Sequence, residues 1–324
     1  SIYNQILYII MPVSFNRTKE VNSFIEENGL EKAIEQFNLS YETVSRYLRK
    51  YRELANVEEE KPEFIPRVLI FDIETKPLNS WTWSVWKQNV SHEQIASDWM
   101  VLTWSAKWLN HPEIYSGKIT PEEVAAEDDS RIIKDIWKFI DAADVLVAHN
   151  GNDFDIPRLN TRFLIHGLQP PSPYQSIDTL KAVRRKFAFS HNKLDYIGQV
   201  LGFGGKLDTG GMKLWLEVLR GEQESIDKME MYNKRDVTLL EEVYLKIRSW
   251  IPSHPNLALH LSSSDSCCPV CTSTKISWMD NSYYTTQVGK YSTFRCDDCG
   301  SIGRSRVSAV TTEKRKHLTV SPAR

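Results

Sequence analysis

The sequence predicts an α/β domain built on a mixed sheet, with a small all-α module before it and a small β module after it. Three observations predict this. The apolar, β-branched run Val68-Leu69-Ile70-Phe71 opens a stretch of strands that gives way to alternating helices and strands. The residues before it carry helical spacing only, and all five cysteines lie between Cys267 and Cys299. At 324 residues there is room for two or three domains, and the composition is that of a folded globular chain.

A formal charge of -2 excludes a globally basic protein, so any surface for a polyanion must be local. No run approaches the ~18 apolar residues of a membrane span, and no membrane partner is expected. Residues 1–10 lack the basic start and small-residue cleavage site of a secretory signal. They are read as a non-native or disordered extension before Met11, and the expected location is the cytoplasm of a bacterium or an infected host cell.

Residues 11–57 read as a helical module. A helix over 21–25 is stopped by Asn28-Gly29, and a second over 30–37 puts Leu30, Ala33, Ile34 and Phe37 on one face. Asn38 tolerates a tight turn, and Ser40 is a good N-cap for a third helix over 41–54. With Val44, Tyr47, Leu48 and Tyr51 inward, Arg46, Arg49, Lys50 and Arg52 face outward. Helix, short turn and basic helix make a helix-turn-helix, with Arg46, Arg49 and Lys50 as nucleic-acid contacts. The segment resembles the helix-turn-helix regions of phage and bacterial DNA-binding proteins, with Asn38 where glycine is usual. An ordinary helical hairpin with a solvated charged face is the competing reading, and Glu26, Glu27, Glu31 and Glu35 favour it. Residues 58–64, with Glu58-Glu59-Glu60, form a linker.

The central domain spans 65–251. Its first strand ends in Asp72 and Glu74, two apart and hence on one face, before Pro77. Carboxylates so close repel unless a cation sits between them, and hard oxygen donors suit magnesium or manganese; a solvent-facing pair is the bland alternative. Strands over 99–108 and 113–119 follow, joined by Asn110-His111-Pro112. The tryptophans here (Trp81, Trp83, Trp86, Trp99, Trp104, Trp108) are expected mainly in the core, with one or two free to stack on bases. A helix over 131–142 leads to a buried strand over 144–148, then Asn150-Gly151-Asn152-Asp153-Phe154-Asp155 at a strand–helix junction. Such junctions are where open α/β sheets build their sites. Asp178 is a rival acid but reads as a helix N-cap. A long helix over 225–250 carries Tyr232 and Asp236, four apart on one face.

Phe71-Asp72-Ile73-Glu74-Thr75, Asn150…Phe154-Asp155 and Tyr232-x-x-x-Asp236 together resemble the three motifs of the DEDD 3′–5′ exonucleases, tyrosine branch, which have the ribonuclease H-like fold. Each motif alone is weak; three in order are strong. The resemblance implies a two-metal phosphodiester hydrolase holding two magnesium or manganese ions. Asp72 would bridge both ions, Glu74 and Asp236 would complete the nucleophile-side ion, and Asp155 would hold the other. Tyr232 would orient the attacking water, and Asn150 would contact nucleic acid. His149 has no matching role.

After a linker at 252–265, Cys268-Pro269-Val270-Cys271 and Cys296-Asp297-Asp298-Cys299 are two C-x2-C knuckles with 24 residues between them. Four thiolates so spaced suit one structural zinc, and three short strands between them make 266–306 a zinc ribbon. Cys267 is a substitute for Cys268, although the Cys-Pro-x-Cys form favours Cys268. Gly300 suits a tight turn, whereas Thr272 stands where glycine is usual. Basic and aromatic residues on the ribbon suit single-stranded nucleic acid, with docking to a replication or repair protein as the alternative. Residues 307–324 are expected to be a disordered basic tail. The functional expectation is a 3′–5′ exonuclease acting on DNA 3′ ends. A ribonuclease of the same fold and a non-catalytic helix-turn-helix regulator are the alternatives.

Overall fold

The computed structural model describes residues 15–40, 43, 44, 47, 66–205, 210–262 and 265–320. The chain divides into two compact units, 1–64 and 65–324.

In the first unit, helix α1 (Phe15–Asn28) is longer than its apolar spacing predicts, and α2 (Leu30–Phe37) follows. Gly29 between them takes a φ of 83°, which costs glycine nothing, and Asn38 takes the left-handed φ of 50° that ends α2. Ser40 Oγ accepts the Thr43 N–H at 3.1 Å, as an N-cap does. Val21, Val44 and Tyr47 are buried together, with Ile25, Ile34 and Phe37 against them. Arg46, Arg49 and Lys50 lie outside the described residues.

The second unit begins with strands β1 (Val68–Thr75), β2 (Asn79–Ser80), β3 (Ile95–Ser97), β4 (Val101–Trp108) and β5 (Ile114–Lys118). Helices α3 (Pro121–Ala126) and α4 (Ser130–Ala142) lead to β6 (Val145–Ala148), α5 (Asp155–Ile165) and β7 (Gln175–Asp178). Four helices follow: α6 (Thr179–Lys186), α7 (Leu194–Val200), α8 (Met212–Leu219) and α9 (Gln223–Ile247). The main sheet runs β5-β4-β1-β6-β7. Central β1 pairs antiparallel with β4 and parallel with β6, so the predicted mixed sheet is present.

Strand alternation divides the core. Val68 and Ile70 point to one side, with Val145 and Val147, against Val183, Ile197 and the α9 residues Val237, Leu240 and Tyr244. Leu69, Phe71 and Ile73 point to the other, against α4 (Ile132, Ile136) and α5 (Leu159, Phe163). Each such side chain contributes roughly 1.5–3 kcal/mol by leaving water. The polar residues Asp72 and Glu74 continue the Val68/Ile70 face, so the same period that buries the strand aims both acids toward α9.

Polar ties hold α9 in register. Glu230 accepts from Lys118 at 2.7 Å, Ser116 at 2.6 Å and Lys234 at 2.7 Å. Burial alone would raise its carboxyl, but those three donors override it and bring it down to about 2. Lys107 pairs with Glu241 further along.

The tryptophans divide. Trp104 is core, and the absence of a Cβ at Gly117 makes room for its indole: a Cβ there would sit 2.3 Å from Nε1. Trp99 and Trp108 are half-buried, and Trp99 is covered by the Arg158 guanidinium at 4.6 Å. Trp81, Trp83 and Trp86 are exposed, against the core expectation. They lie on the loop between β2 and β3, outside the main sheet.

A second sheet, β10-β9-β8, follows α9: β8 (Ile276–Thr285), β9 (Lys290–Cys296) and β10 (Ile302–Arg304). The connection is itself ordered by hydrogen bonds. Buried Tyr244 lies 2.9 Å from His254 Nε2, His254 Nδ1 donates to the Pro255 carbonyl at 2.7 Å, and Leu257 N–H donates to the Pro269 carbonyl at 2.8 Å. Burial lowers the His254 pKa, which suits a neutral ring accepting from the tyrosine. Beyond β10, Ala309 N–H donates to the Lys290 carbonyl and a short exposed helix α10 (Thr312–Lys316) follows.

Candidate active site

The site lies at the C-terminal ends of β1 and β6. Pairing between these strands stops at Ile70↔Val147, so Asp72 and Glu74 project past the last residue of β6 paired with β1. On the other edge Asp72 faces Ser105 and Glu74 faces Thr103, with the register broken between Glu74 and Thr75. A bulge there ends the regular ladder beside the two acids.

Helix α9 crosses this face. Its buried stripe runs Met229, Asn233, Asp236, Val237, Leu240, the helical period of an inward face. Asp236 is fully buried, and one oxygen each from Asp72, Glu74 and Asp236 lie within 4.8 Å of one another. Three hard oxygen donors converging from two separate elements fit a divalent cation such as magnesium or manganese. Asn233, which sequence reasoning missed, donates through Nδ2 to Asp72 Oδ2 at 2.6 Å. Its own Oδ1 has no hydrogen-bond partner among the described residues. The signal was present: an amide at i−3 from Asp236, inside an otherwise apolar stripe.

Asp155 reaches the β1 backbone. It opens α5 and accepts the Ile73 N–H at 3.2 Å, between the two strand acids. It is not part of the three-carboxylate group. Burial pushes its carboxyl up to about 7, against the opposing pull of the Ile73 N–H.

Tyr232 is half-buried and lines a cleft of about 1070 Å³ with Asp72, His149 and Asn150. Arg184 and Lys193, cations that sequence reasoning did not single out, line the same cleft. Asn150 adopts a left-handed φ of 70°. A Cβ at the next residue, Gly151, would lie 2.4 Å from the Ala148 Cβ, so only glycine lets this loop fold back onto β6. Asp178 holds the loop from beneath, accepting Asn150 N–H at 3.0 Å and Asn152 N–H at 3.3 Å while capping α6 through Leu180 and Lys181. That role is architectural, as its N-cap pattern predicts. His149 is tied down too: Nε2 lies 2.9 Å from the Asn192 carbonyl oxygen and Nδ1 2.9 Å from the Thr179 hydroxyl.

A second carboxylate group, Asp128, Asp129 and His166, is balanced by protein. Asp129 is fully buried, receives Arg162 through two nitrogens and accepts the Val101 N–H at 2.8 Å. A guanidinium already occupies the place a cation would take.

The cysteines gather as expected from spacing. Cys268, Cys271, Cys296 and Cys299 form one group, with sulfurs 3.6 Å apart for Cys268–Cys299 and 3.5 Å for Cys271–Cys296. Four sulfurs at ~2.3 Å from a tetrahedral zinc stand about 3.8 Å apart, so the cluster fits that ion. Cys267 is outside the group. Gly300 turns with φ 75°, and Thr272 takes φ 64° at the equivalent place in the first knuckle.

Comparison with known proteins agrees at the level of the fold. Residues 114–248 match a family model, RNase_H_2, of the RNase_H superfamily. The matched stretch holds Asp155, Tyr232 and Asp236 but begins after β1. The central sheet is ribonuclease H-like. Among solved structures, the family B DNA polymerase from the hyperthermophilic archaeon Pyrobaculum calidifontis is similar at 19% identity and a TM-score of 0.39, over 61% of this chain and 27% of that one. So loose a likeness adds no weight to a functional reading, and the chain spans about a quarter of that polymerase. A search of curated proteins finds no match.

Proposed function

We propose that this protein is a metal-dependent 3′–5′ exonuclease that removes nucleoside monophosphates from DNA 3′ ends. One observation carries the reading: Asp72, Glu74 and Asp236 bring carboxylate oxygens within 4.8 Å of one another, and Asp72 lines an open cleft. Folding does not need three converging acids, and their mutual repulsion opposes it.

In this reading Asp72, Glu74 and Asp236 would hold one divalent ion, and Asp155 would help to hold a second. When bound, such ions lower the pKa of water and stabilise charge on the leaving oxygen. The chain's own groups do the rest. Asn233 fixes the Asp72 carboxylate through its 2.6 Å hydrogen bond. Tyr232 holds the attacking water by hydrogen bonding, because a phenol with a pKa near 10 does not act as a base at neutral pH. The water oxygen bonds to phosphorus and releases a proton to solvent, the bond from phosphorus to the 3′-oxygen breaks, and that oxygen takes up a proton from solvent. Arg184 and Lys193 line the same cleft, where they would meet backbone phosphates. Residues 11–57, read as a helix-turn-helix, and the cysteine ribbon, read as a zinc ribbon, would serve as nucleic-acid-binding modules.

The test is digestion of 5′-labelled and 3′-labelled single-stranded DNA with magnesium or manganese. The expected outcome is a 5′-label ladder that shortens one nucleotide at a time, with rates reduced at least a thousandfold in Asp72→Ala and Asp236→Ala. A parallel RNA substrate tests the sugar. Intact substrates after incubation with zinc-loaded, folded protein would reject the enzyme reading.

A further inference from the structure

We infer that one face of the cysteine ribbon is a separate binding platform for single-stranded nucleic acid, built on Tyr284, Tyr291 and Arg304. The inference stands whether or not the carboxylate cleft is catalytic.

Register places these three residues together. Tyr284 and Tyr291 are directly opposed on β8 and β9, and Arg304 on β10 stands opposite Thr293, two residues along β9 and therefore on the same face. The Arg304 guanidinium lies 4.2 Å from the Tyr291 ring centroid and 5.3 Å from that of Tyr284. Its Nη1 donates to the Ser305 carbonyl at 3.2 Å, which holds the plane in place. Tyr284 remains about half exposed. A guanidinium laid on tyrosine rings offers flat π surfaces and a positive charge at one spot, the combination on which unpaired bases stack beside their own phosphates.

Charge favours a polyanion. Neither Arg304 nor Arg295, which shares the face, has a carboxylate within 4 Å among the described residues. Two of the ribbon's three acids are engaged elsewhere: Asp297 accepts from Ser277, and Asp298 accepts from Ser273 and pairs with Lys275 at 3.5 Å; the third, Asp280, is exposed on β8. The chain leaving the face continues through Arg306 to exposed Lys314, Arg315 and Lys316. A protein-docking face would instead centre on a buried apolar anchor. Here the exposed apolar residue on the face, Ile302, stands opposite Arg295, two residues along from Arg304.

The experiment is fluorescence anisotropy of full-length, zinc-loaded protein with labelled 15-mers of deoxythymidine and of uridine, without added magnesium or manganese. The double variant Tyr284→Ala/Tyr291→Ala is expected to bind at least tenfold more weakly, while Tyr284→Phe/Tyr291→Phe stays within twofold of wild type. Arg304→Gln is expected to reduce the slope of log affinity against log salt by about 0.7, one single-strand phosphate contact. This pattern on either oligonucleotide supports the inference, and the ratio between them names the preferred sugar. Retained zinc, one per chain, shows that each variant still folds its ribbon. The inference is overturned if the alanine pair binds within twofold of wild type, if Arg304→Gln leaves the salt slope unchanged, or if duplex DNA binds this face as tightly as single strands. In the first case the face belongs to a protein partner instead.

Discussion

Asp155 is a carboxyl group buried almost completely, with a hydrogen bond from Ile73 N–H and a pKa raised by that burial to about 7. An acid whose folded pKa stands above its unfolded value contributes stability that is fully present below about 4 and is lost as pH rises through about 7. Without divalent ions the folded protein is therefore strained at alkaline pH by this one residue. Asp155→Asn keeps the acceptor for Ile73 and removes the charge. We expect it to raise the melting temperature at pH 8 in the absence of divalent ions, by a few degrees, and to leave it unchanged at pH 4. Thermal melts at the two pH values check this; a variant less stable than wild type at pH 8 would contradict it. Magnesium should narrow the difference, because a cation beside Asp155 stabilises the ionised wild-type side chain.

Among the elements, β1 and α9 were legible because their patterns are long. The strand period of β1, four buried apolar residues followed by Asp72 and Glu74 about Ile73, assigns both acids to one face, and the apolar stripe of α9 places Asp236 beside Val237 on the buried side. Strand β7 was not legible: of Gln175-Ser176-Ile177-Asp178 only Ile177 is a buried apolar residue, and pairing with β6, not composition, makes it a strand. The pair β2 and β3 is shorter still and carries no period. At the other extreme stands the ribbon, whose core is largely its own ligands: Cys268, Val270 and Cys296 are buried, with Cys271, Ile276 and Cys299 against them. So small an apolar core does not hold three strands without a metal. Removing zinc with a chelator is expected to abolish amide-exchange protection over 276–304 while β1 stays protected. Ribbon protection surviving in metal-free protein would refute that assignment.

At the scale of the molecule, the sequence shows an α/β domain with a mixed sheet, and the structure has it, because the strand period of β1 and the helical period of α4 and α9 agree. What it could not show was how side chains from distant segments meet. Nothing local says that Asn233 reaches Asp72, that Arg184 and Lys193 line the same cleft as Asp72, or that Arg162 neutralises Asp129. These are consequences of packing between elements more than 30 residues apart. The exposed Trp81, Trp83 and Trp86 were misread for a related reason: composition reports that a residue is apolar, and only tertiary structure decides whether a layer covers it.

The central claim is that acids from β1 and α9 form one divalent-metal site, and manganese answers it by position as well as activity. Crystals of the full chain soaked in manganese chloride, measured on both sides of the manganese absorption edge, would locate the ion directly. The account predicts an anomalous peak bounded by Asp72, Glu74 and Asp236, absent in Asp236→Ala. A peak at Asp128, Asp129 and His166 instead, or none among the three acids at saturating manganese, would contradict it.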